Sequence, residues 1–190
     1  MSDMDTVWCC WFQGLDNAPE IVKCCVNSIK QLGRKMVLLT EYNVRDYVFL
    51  PDYIWIKYRE GTILPAHLSD LVRLELLTTR DGIWIDATTW ISGTEHILPI
   101  LDEKPIFMYR SGQVNEHIVF DNWLMQAKVF CKIFETTKEM LLEYWRRESS
   151  ARNYFLMHIF MTIACIKIRK NIVLCRCLAM SLVMCFNTIC

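Results

Sequence analysis

Short apolar runs alternate with amphipathic segments along the first part of the chain. An apolar run of about seven residues ends at Gly14, and a second run covers residues 36–40. Between them, apolar residues recur every three to four positions, which predicts a helix with Asn17 as its N-cap, Pro19 in its first turn and Gly33 at its end. Because parallel strands are joined by crossover helices, this order predicts a parallel sheet.

The middle of the chain has a longer helical pattern that leads into a third apolar run. The residues around Pro51 predict only short helical turns. A longer helix is predicted to begin at Pro65 and to end just before Gly82. The strand "IWID" follows, and it ends in the carboxylate of Asp86.

The second half of the chain predicts two more strands and two more helices. The segment "KPIFMYRSG" is predicted to form a fourth strand, and "NEHIVFDNWLMQA" to add further sheet at the rim. Residues 128–149 and 153–170 have helical patterns. The strands and helices together predict an α/β fold.

The last 20 residues are almost wholly apolar, with Arg176 as their only charge. This length is sufficient to span a bilayer. An arginine in such a span would cost about 2.5–3.5 kcal/mol, so a core helix or a membrane-surface segment is an equally good interpretation.

Composition narrows the functional classes. The 190 residues, 53% of them hydrophobic, suit one domain with a substantial core. Basic and acidic residues balance at 21 each, which argues against a nucleic-acid partner. The N-terminus lacks the pattern of a signal peptide, and the ten cysteines lack zinc-site spacing. We therefore expect reduced cysteines, most of them in the core.

Three charged residues lie where α/β sheets bind ligands. Asp70 and Arg73 are three positions apart, so they share one helix face. Asp86 follows a strand, and ligands bind outside the carboxyl ends of strands. Each residue also has an ordinary interpretation. Asp70 and Arg73 could form a surface salt bridge, and Asp86 could accept backbone N–H groups in a turn.

The stretch "AHLSDLVRLELLTTRDGIWIDAT" resembles the central motif of capsular polysaccharide synthesis proteins. These proteins are related to glycosyltransferase family 32 and to the large clostridial glucosylating toxins. The segments "WFQGLDNAPEIVKCCVNSIK", "LPDYIWIKYREGTILPAHLSD" and "LLEYWRRESSARNYFLMH" resemble other parts of the family, so the resemblance covers about residues 7–164. It implies a GT-A-like fold, which is a Rossmann-like, mostly parallel sheet flanked by helices, with a helical C-terminal part.

The resemblance divides the chain into a nucleotide-sugar-binding domain at residues 1–164 and an atypical apolar tail at residues 165–190. We hypothesise that the tail results from truncation or from an altered reading frame. In the domain, the resemblance implies that Asp70 and Arg73 contact the donor sugar and that Asp86 is the first acid of an Asp-x-Asp-type motif.

The resemblance also implies the reaction and its partners. A sugar would pass from a nucleotide-sugar donor, with UDP as the expected nucleotide, to a glycan or lipid-linked glycan acceptor, with retention of anomeric configuration. The Gln13–Gly14 turn would border the nucleotide pocket, and Trp11 would stack on the base. The process would be capsular or surface polysaccharide biosynthesis in the cytoplasm at the inner face of the cell membrane, with peripheral membrane contact.

A divalent cation, Mn²⁺ or Mg²⁺, is the expected cofactor. It would neutralise the charge of the diphosphate leaving group, and both ions prefer oxygen ligands. The candidate ligands are Asp86, Thr88 and His158. Thr88 occupies the position of the second acid, where a neutral hydroxyl is a weaker ligand. A single histidine on an apolar helix, such as His158, is also compatible with a purely structural role.

Two other functional classes remain open. The chain could be a catalytically impaired remnant that binds a nucleotide sugar without transferring it, or a small membrane-anchoring protein. Four further residues, namely Glu95, His96, Glu116 and His117, are weaker candidates for the acceptor side.

Overall fold

The computed structural model describes residues 5–111 and 118–172, which form a five-stranded sheet with helices on both faces. The strands are β1 (Val7–Cys10), β2 (Met36–Leu39), β3 (Gly82–Ile85), β4 (Ile106–Arg110) and β5 (Phe120–Ala127). The helices are α1 (Glu20–Ile29), α2 (Val44–Tyr47), α3 (Asp52–Arg59), α4 (Pro65–Thr79), α5 (Ile97–Glu103), α6 (Lys132–Arg147) and α7 (Leu156–Ile172).

The strand order is β2-β1-β3-β5-β4. Strand β1 pairs in parallel with both β2 and β3, whereas β5 runs antiparallel between β3 and β4. All the described strands except β5 therefore point in the same direction. This confirms the predicted α/β fold with a mostly parallel sheet, whose strands β1 and β3 end at the same edge.

Two of the predicted strands differ from those observed. Strand β1 ends at Cys10, because the chain turns at Trp11, whose carbonyl accepts a hydrogen bond from the Gly14 N–H at 2.9 Å. The prediction that β5 lies at the rim is wrong. Strand β5 is interior, and residues 124–127 are buried because β4 and β3 cover its two edges.

The predicted N-cap of α1 is also wrong. The helix begins at Glu20, directly after Pro19, and has no side-chain cap. Asn17 lies in the preceding turn, because the extended backbone of Pro19 delays the first helical residue. The predicted end is confirmed. A 3₁₀ turn at Lys30–Leu32 extends α1, and Gly33 ends it in the left-handed conformation, with a φ of 65°.

Helix α4 is the element that positions the site, and it lies deep in the molecule. Residues 70–77 are all buried, mainly against the core that the sheet forms with α6 and α7. A buried ion pair adds to this packing, since Lys138 Nζ on α6 lies 3.3 Å from Glu75 Oε2 on α4. On the opposite face, α1 and α5 cover Ile83 and Ile85 of β3.

The C-terminal helix α7 continues through Ile172 and so crosses the predicted domain boundary at residues 164 and 165. From residue 173 onward, the predicted tail lies outside the described residues. Within the described ranges, no helix has the length and apolar character needed to cross a membrane. The cysteines Cys9, Cys25 and Cys131 are buried free thiols, as expected for core residues.

Candidate functional site

A cavity of about 350 Å³ lies at the carboxyl ends of β1 and β3, beside the first half of α4. Seven of the eight predicted site residues line it: Trp11, Gln13, Asp70, Arg73, Asp86, Thr88 and His158. The eighth, Gly14, is not in the lining but completes the turn that presents Trp11 and Gln13. The structure thus brings together residues that lie up to 147 positions apart in the sequence.

Arg73 lies between the two predicted carboxylates. Its Nη1 atom is 3.2 Å from Asp86 Oδ1, and its Nη2 atom is 3.4 Å from Asp70 Oδ1. Both Asp70 and Arg73 are buried, so their contact is not an ordinary surface salt bridge. The cluster therefore places two carboxyl groups around a single guanidinium, and His67 Nδ1 lies 3.9 Å from Asp70 Oδ2.

The guanidinium of Arg73 is fixed from several sides. Its Nε and Nη2 atoms donate to the Ser69 carbonyl and hydroxyl, one helical turn earlier on α4. Its Nη1 atom donates to the Asn122 carbonyl on β5, and its Cζ atom lies 4.8 Å from the ring centroid of Trp84. These contacts hold the planar group between helix and sheet, where its fixed fork can address two acceptors at once.

Asp86 is held by side chains of the core. The indole N–H of Trp84 donates to Asp86 Oδ1 at 2.7 Å, and Arg73 contacts the same oxygen. Since both partners are side chains, the Asx-turn interpretation does not account for this carboxylate. Burial raises the pKa of Asp86, although the charge of Arg73 and the hydrogen bond from Trp84 lower it.

Asn122 is a cavity residue that sequence reasoning missed. Its side-chain amide donates to Asp70 Oδ1 at 3.1 Å, while its carbonyl accepts from Arg73. Asn122 therefore orients both residues of the α4 pair. No local signal points to it, because its position depends on the pairing of β5 with β3, and those strands are separated by 34 residues.

His158 on α7 also lines the cavity. Burial lowers its pKa, while Asp70 raises it and Arg73 lowers it further. The imidazole is therefore neutral near pH 7. Its Nδ1 atom is buried and has no hydrogen-bond partner among the described residues.

Sequence comparison identifies the family. The family model described as "Capsular polysaccharide synthesis protein" matches residues 1–181. The chain belongs to this family. The O-glycosyltransferase braB of Annulohypoxylon truncatum is 32% identical over 96 residues, a match that covers 45% of this chain and 23% of that relative. The chain thus aligns with about a quarter of that relative's length.

Structural comparison identifies the fold of this capsular polysaccharide synthesis family protein. The solved structure "PaToxG Glycosyltransferase" superposes with a TM-score of 0.59 over 88% of this chain and 70% of that chain, at 14% identity. The predicted GT-A-like fold is therefore confirmed as a glycosyltransferase fold.

The residues available for a metal ion in this family member form a sparse set. Asp86 and Thr88 lie on the turn after β3, and His158 on α7 lines the same cavity. Among the described residues, there is no group of three or more His, Cys, Asp and Glu side chains close enough to hold a metal ion. The donor set therefore fits only a cation that takes further ligands from substrate phosphates, as Mg²⁺ does in many phosphate-binding enzymes.

Two of the four acceptor-side candidates, Glu95 and His96, are among the described residues and do not line this cavity. Glu95 and His96 lie on the segment before α5 and line a second cavity. Glu116 and His117 lie outside the described residues.

Proposed function

We propose that this protein is a glycosyltransferase that moves a hexose from a nucleotide-sugar donor, a UDP-sugar, to a glycan acceptor in capsular or surface polysaccharide biosynthesis. One observation carries the proposal. Asp70 and Arg73 of α4 meet Asp86 at the end of β3, in a cavity at the ligand-binding edge of a glycosyltransferase-like sheet.

The donor sugar is the part of the substrate that suits the charged cluster. Sugar hydroxyls are hydrogen-bond donors, and a carboxylate accepts such bonds strongly. Asp70 is held by Asn122 and Arg73 through Oδ1, so it is oriented before substrate binds. A buried and oriented acceptor discriminates between sugars because a missing or inverted hydroxyl leaves it unpaired.

The nucleotide is assigned to the other end of the same cavity. Trp11 lines the wall after β1 and offers an aromatic face to the base, and Gln13 offers an amide. Gly14 has a φ of 75°, which favours glycine and lets the chain turn tightly there. These three residues support a nucleotide subsite that extends from the charged cluster toward β1.

The transfer itself exchanges one bond to the anomeric carbon for another. The bond from that carbon to the diphosphate oxygen breaks, and the diphosphate leaves with the bonding electrons. A bond to the acceptor oxygen forms, and the acceptor hydroxyl loses its proton. We assign the reaction to the retaining class, and the product's anomeric configuration, read by NMR, tests that assignment.

A divalent cation, Mn²⁺ or Mg²⁺, fits a site that offers carboxyl and hydroxyl oxygens as ligands. Asp86 and Thr88 would hold it together with donor phosphate oxygens, and His158 offers a neutral nitrogen ligand. When bound, the ion neutralises the charge that develops on the leaving diphosphate. Without a cation, the two carboxylates would repel the diphosphate, which is why we expect metal-dependent binding.

The cellular setting is proposed from the family. Polysaccharide assembly takes place on lipid-linked or growing glycans, so we assign the protein to the inner face of the cell membrane. Exposed apolar side chains on α7, Ile163 and Ile166, and on the loop before α6, Val129 and Phe130, are available for peripheral contact.

The deciding experiment is titration calorimetry of the full chain with UDP, with and without Mn²⁺, followed by a screen of UDP-hexoses for hydrolysis and transfer. We expect UDP binding that Mn²⁺ strengthens, and slow hydrolysis of at least one donor. If UDP fails to bind under both conditions, the proposal is wrong. If UDP binds but no donor is turned over, the chain is the catalytically impaired binding protein instead.

A further inference from the structure

A second cavity, of about 240 Å³, lies next to the candidate donor cavity. Its lining combines aromatic rings with exposed polar side chains, a mixture that is typical of small-ligand sites. The residues that carry the argument are Trp90, Gly93, Glu95, His96, Tyr109 and Trp123.

The two cavities share a thin wall of backbone. Thr88 lines the donor cavity and Thr89 lines the second one, and the same holds for Asn122 and Trp123. The Asp86 N–H donates to the Trp123 carbonyl at 2.8 Å, which holds the two parts of the wall together. Because consecutive side chains on a strand point to opposite faces, Asn122 and Trp123 present one residue to each cavity.

The aromatic rings of the second cavity are preorganised. Tyr109 and Trp123 stack with centroids 4.6 Å apart and an angle of 15° between their planes. Phe107 fixes Tyr109 from behind in an edge-to-face contact at 4.9 Å. Trp90 lies in the same lining with 58% of its surface exposed. Exposing so large an apolar ring carries a solvation cost that a ligand would relieve.

Polar groups at the cavity rim complement these rings. The side chains of Glu95 and His96 are 70% and 93% exposed, and Glu95 Oε1 lies 3.9 Å from His96 Nε2. A Cβ atom on Gly93 would come within 2.6 Å of Glu95 Oε2. The missing side chain at Gly93 therefore lets the Glu95 carboxylate lie against the loop, at the edge of the cavity.

We propose that the second cavity binds a hexose unit of the acceptor glycan. The C–H face of a pyranose ring is complementary to the electron-rich face of an aromatic ring, and Trp90 supplies such a face. Glu95 and His96 can exchange hydrogen bonds with the hydroxyls around the ring edge. This assignment rests on the proposed glycosyltransferase function, since adjacent residues of one wall line the donor cavity and the second cavity.

The test is binding of tetrasaccharides of glucose, galactose, mannose, N-acetylglucosamine and glucuronic acid to the full chain, measured by saturation-transfer NMR and calorimetry. We expect saturable binding of at least one of them, and a loss of at least tenfold in its affinity for Trp90→Ala. UDP affinity should not change in that variant. Phe130→Ala is the matched control, because Phe130 is 63% exposed but follows the opposite end of β5.

Three results would overturn the assignment. They are failure of every tetrasaccharide to bind, binding that Trp90→Ala leaves unchanged, and displacement of the bound tetrasaccharide by UDP alone, which would put it in the donor cavity. UDP titration of the same samples separates this inference from the proposed function. Normal UDP binding without any glycan binding refutes only the acceptor site, whereas glycan binding without UDP binding refutes the transferase.

Discussion

Arg73 Nη1 lies 3.2 Å from Asp86 Oδ1, and this contact joins the buried helix α4 to the carboxyl end of β3. Arg73 also contacts Asp70, so one guanidinium serves two carboxyl groups. Two carboxyl groups around one guanidinium favour ligands that bring hydroxyl donors or a further cation. A sugar diphosphate that binds together with a divalent ion would supply both the hydroxyl donors and the cation.

The first prediction concerns the charge of Asp86. We expect donor hydrolysis and transfer by Asp86→Asn to fall by at least roughly 10²-fold, because the carboxylate positions Arg73 and would hold the cation that neutralises the leaving diphosphate. The fold should persist, since the amide oxygen can still accept from Trp84, with a stability change of about 1–2 kcal/mol.

Asp81→Asn is the matched control for Asp86→Asn. Asp81 lies at the other end of β3 with a φ of 63°, a conformation that asparagine tolerates well. Initial rates with a UDP-hexose, together with urea unfolding curves, compare the two variants. Turnover of Asp86→Asn at the wild-type rate would contradict the role assigned to this carboxylate.

The second prediction concerns the indole N–H of Trp84. Trp84→Phe keeps an aromatic ring under Arg73 but removes the donor to Asp86 Oδ1, so the carboxylate loses its orientation. We expect the rate of donor turnover to fall by roughly tenfold, about 1.4 kcal/mol of transition-state stabilisation, with little change in the affinity for UDP.

Trp8→Phe provides the comparison for this variant. Trp8 and Trp84 are both 1% exposed, and the indole N–H of Trp8 also donates to a single oxygen, the carbonyl of Asp81. Both variants should be destabilised to a similar extent, and only Trp84→Phe should lose activity. If Trp8→Phe lost as much activity as Trp84→Phe, the activity loss of Trp84→Phe would reflect packing alone.

The parts of the site that could be predicted from sequence are those fixed by local geometry. Asp70 and Arg73 share a face because a helix places residues three apart together, and Asp86 lies at the cavity because a strand ends there. Asn122 could not be predicted as a partner, because its contacts depend on where β5 inserts into the sheet. Trp84 lies two positions before Asp86, so the alternation of side chains along a strand is a local signal for their contact.

The fold shows the same division between local and non-local information. Periodicity predicts α4 and α6, whose apolar positions recur regularly. It does not predict α5, a seven-residue helix that contains Pro99, and it misplaces β5. Strand β5 carries polar residues such as Asp121 and Asn122 at the cavity end, which gives it the sequence character of an edge strand although it is interior.

The third prediction concerns the pH dependence of stability through His158. Because its folded pKa is lowered below the ordinary value of about 6.5, the unfolded chain binds more protons in the interval just below pH 6.5. The free energy of unfolding should therefore fall as the pH drops through this interval. His158→Gln, which does not titrate, should show a shallower fall.

Urea unfolding of both proteins at pH 7.5, 6.5 and 5.5 measures this difference directly. Asp86 also titrates, and because its pKa depends in part on the neighbouring His158, the difference between the two proteins includes a smaller contribution from Asp86. If the two proteins lost stability in parallel between pH 6.5 and 5.5, the neutral state of His158 in the fold would be disproved.

The fourth prediction concerns the buried ion pair that holds α4 against α6. Lys138 Nζ lies 3.3 Å from Glu75 Oε2 and donates to Thr78 Oγ1 at 2.8 Å, so Lys138→Met leaves a buried carboxylate without its cation. We expect a loss of about 3–5 kcal/mol in the free energy of unfolding. Replacing both partners, as Lys138→Met with Glu75→Leu, should recover most of that loss, because no buried charge then remains uncompensated.

Lys138 also lies 3.2 Å from Glu135, which is more exposed, so Glu135→Gln is the control and should cost less than about 1 kcal/mol. Urea unfolding of the four proteins at pH 7 gives the comparison. A double variant that is as unstable as Lys138→Met would show that shape complementarity, and not the uncompensated charge, causes the loss.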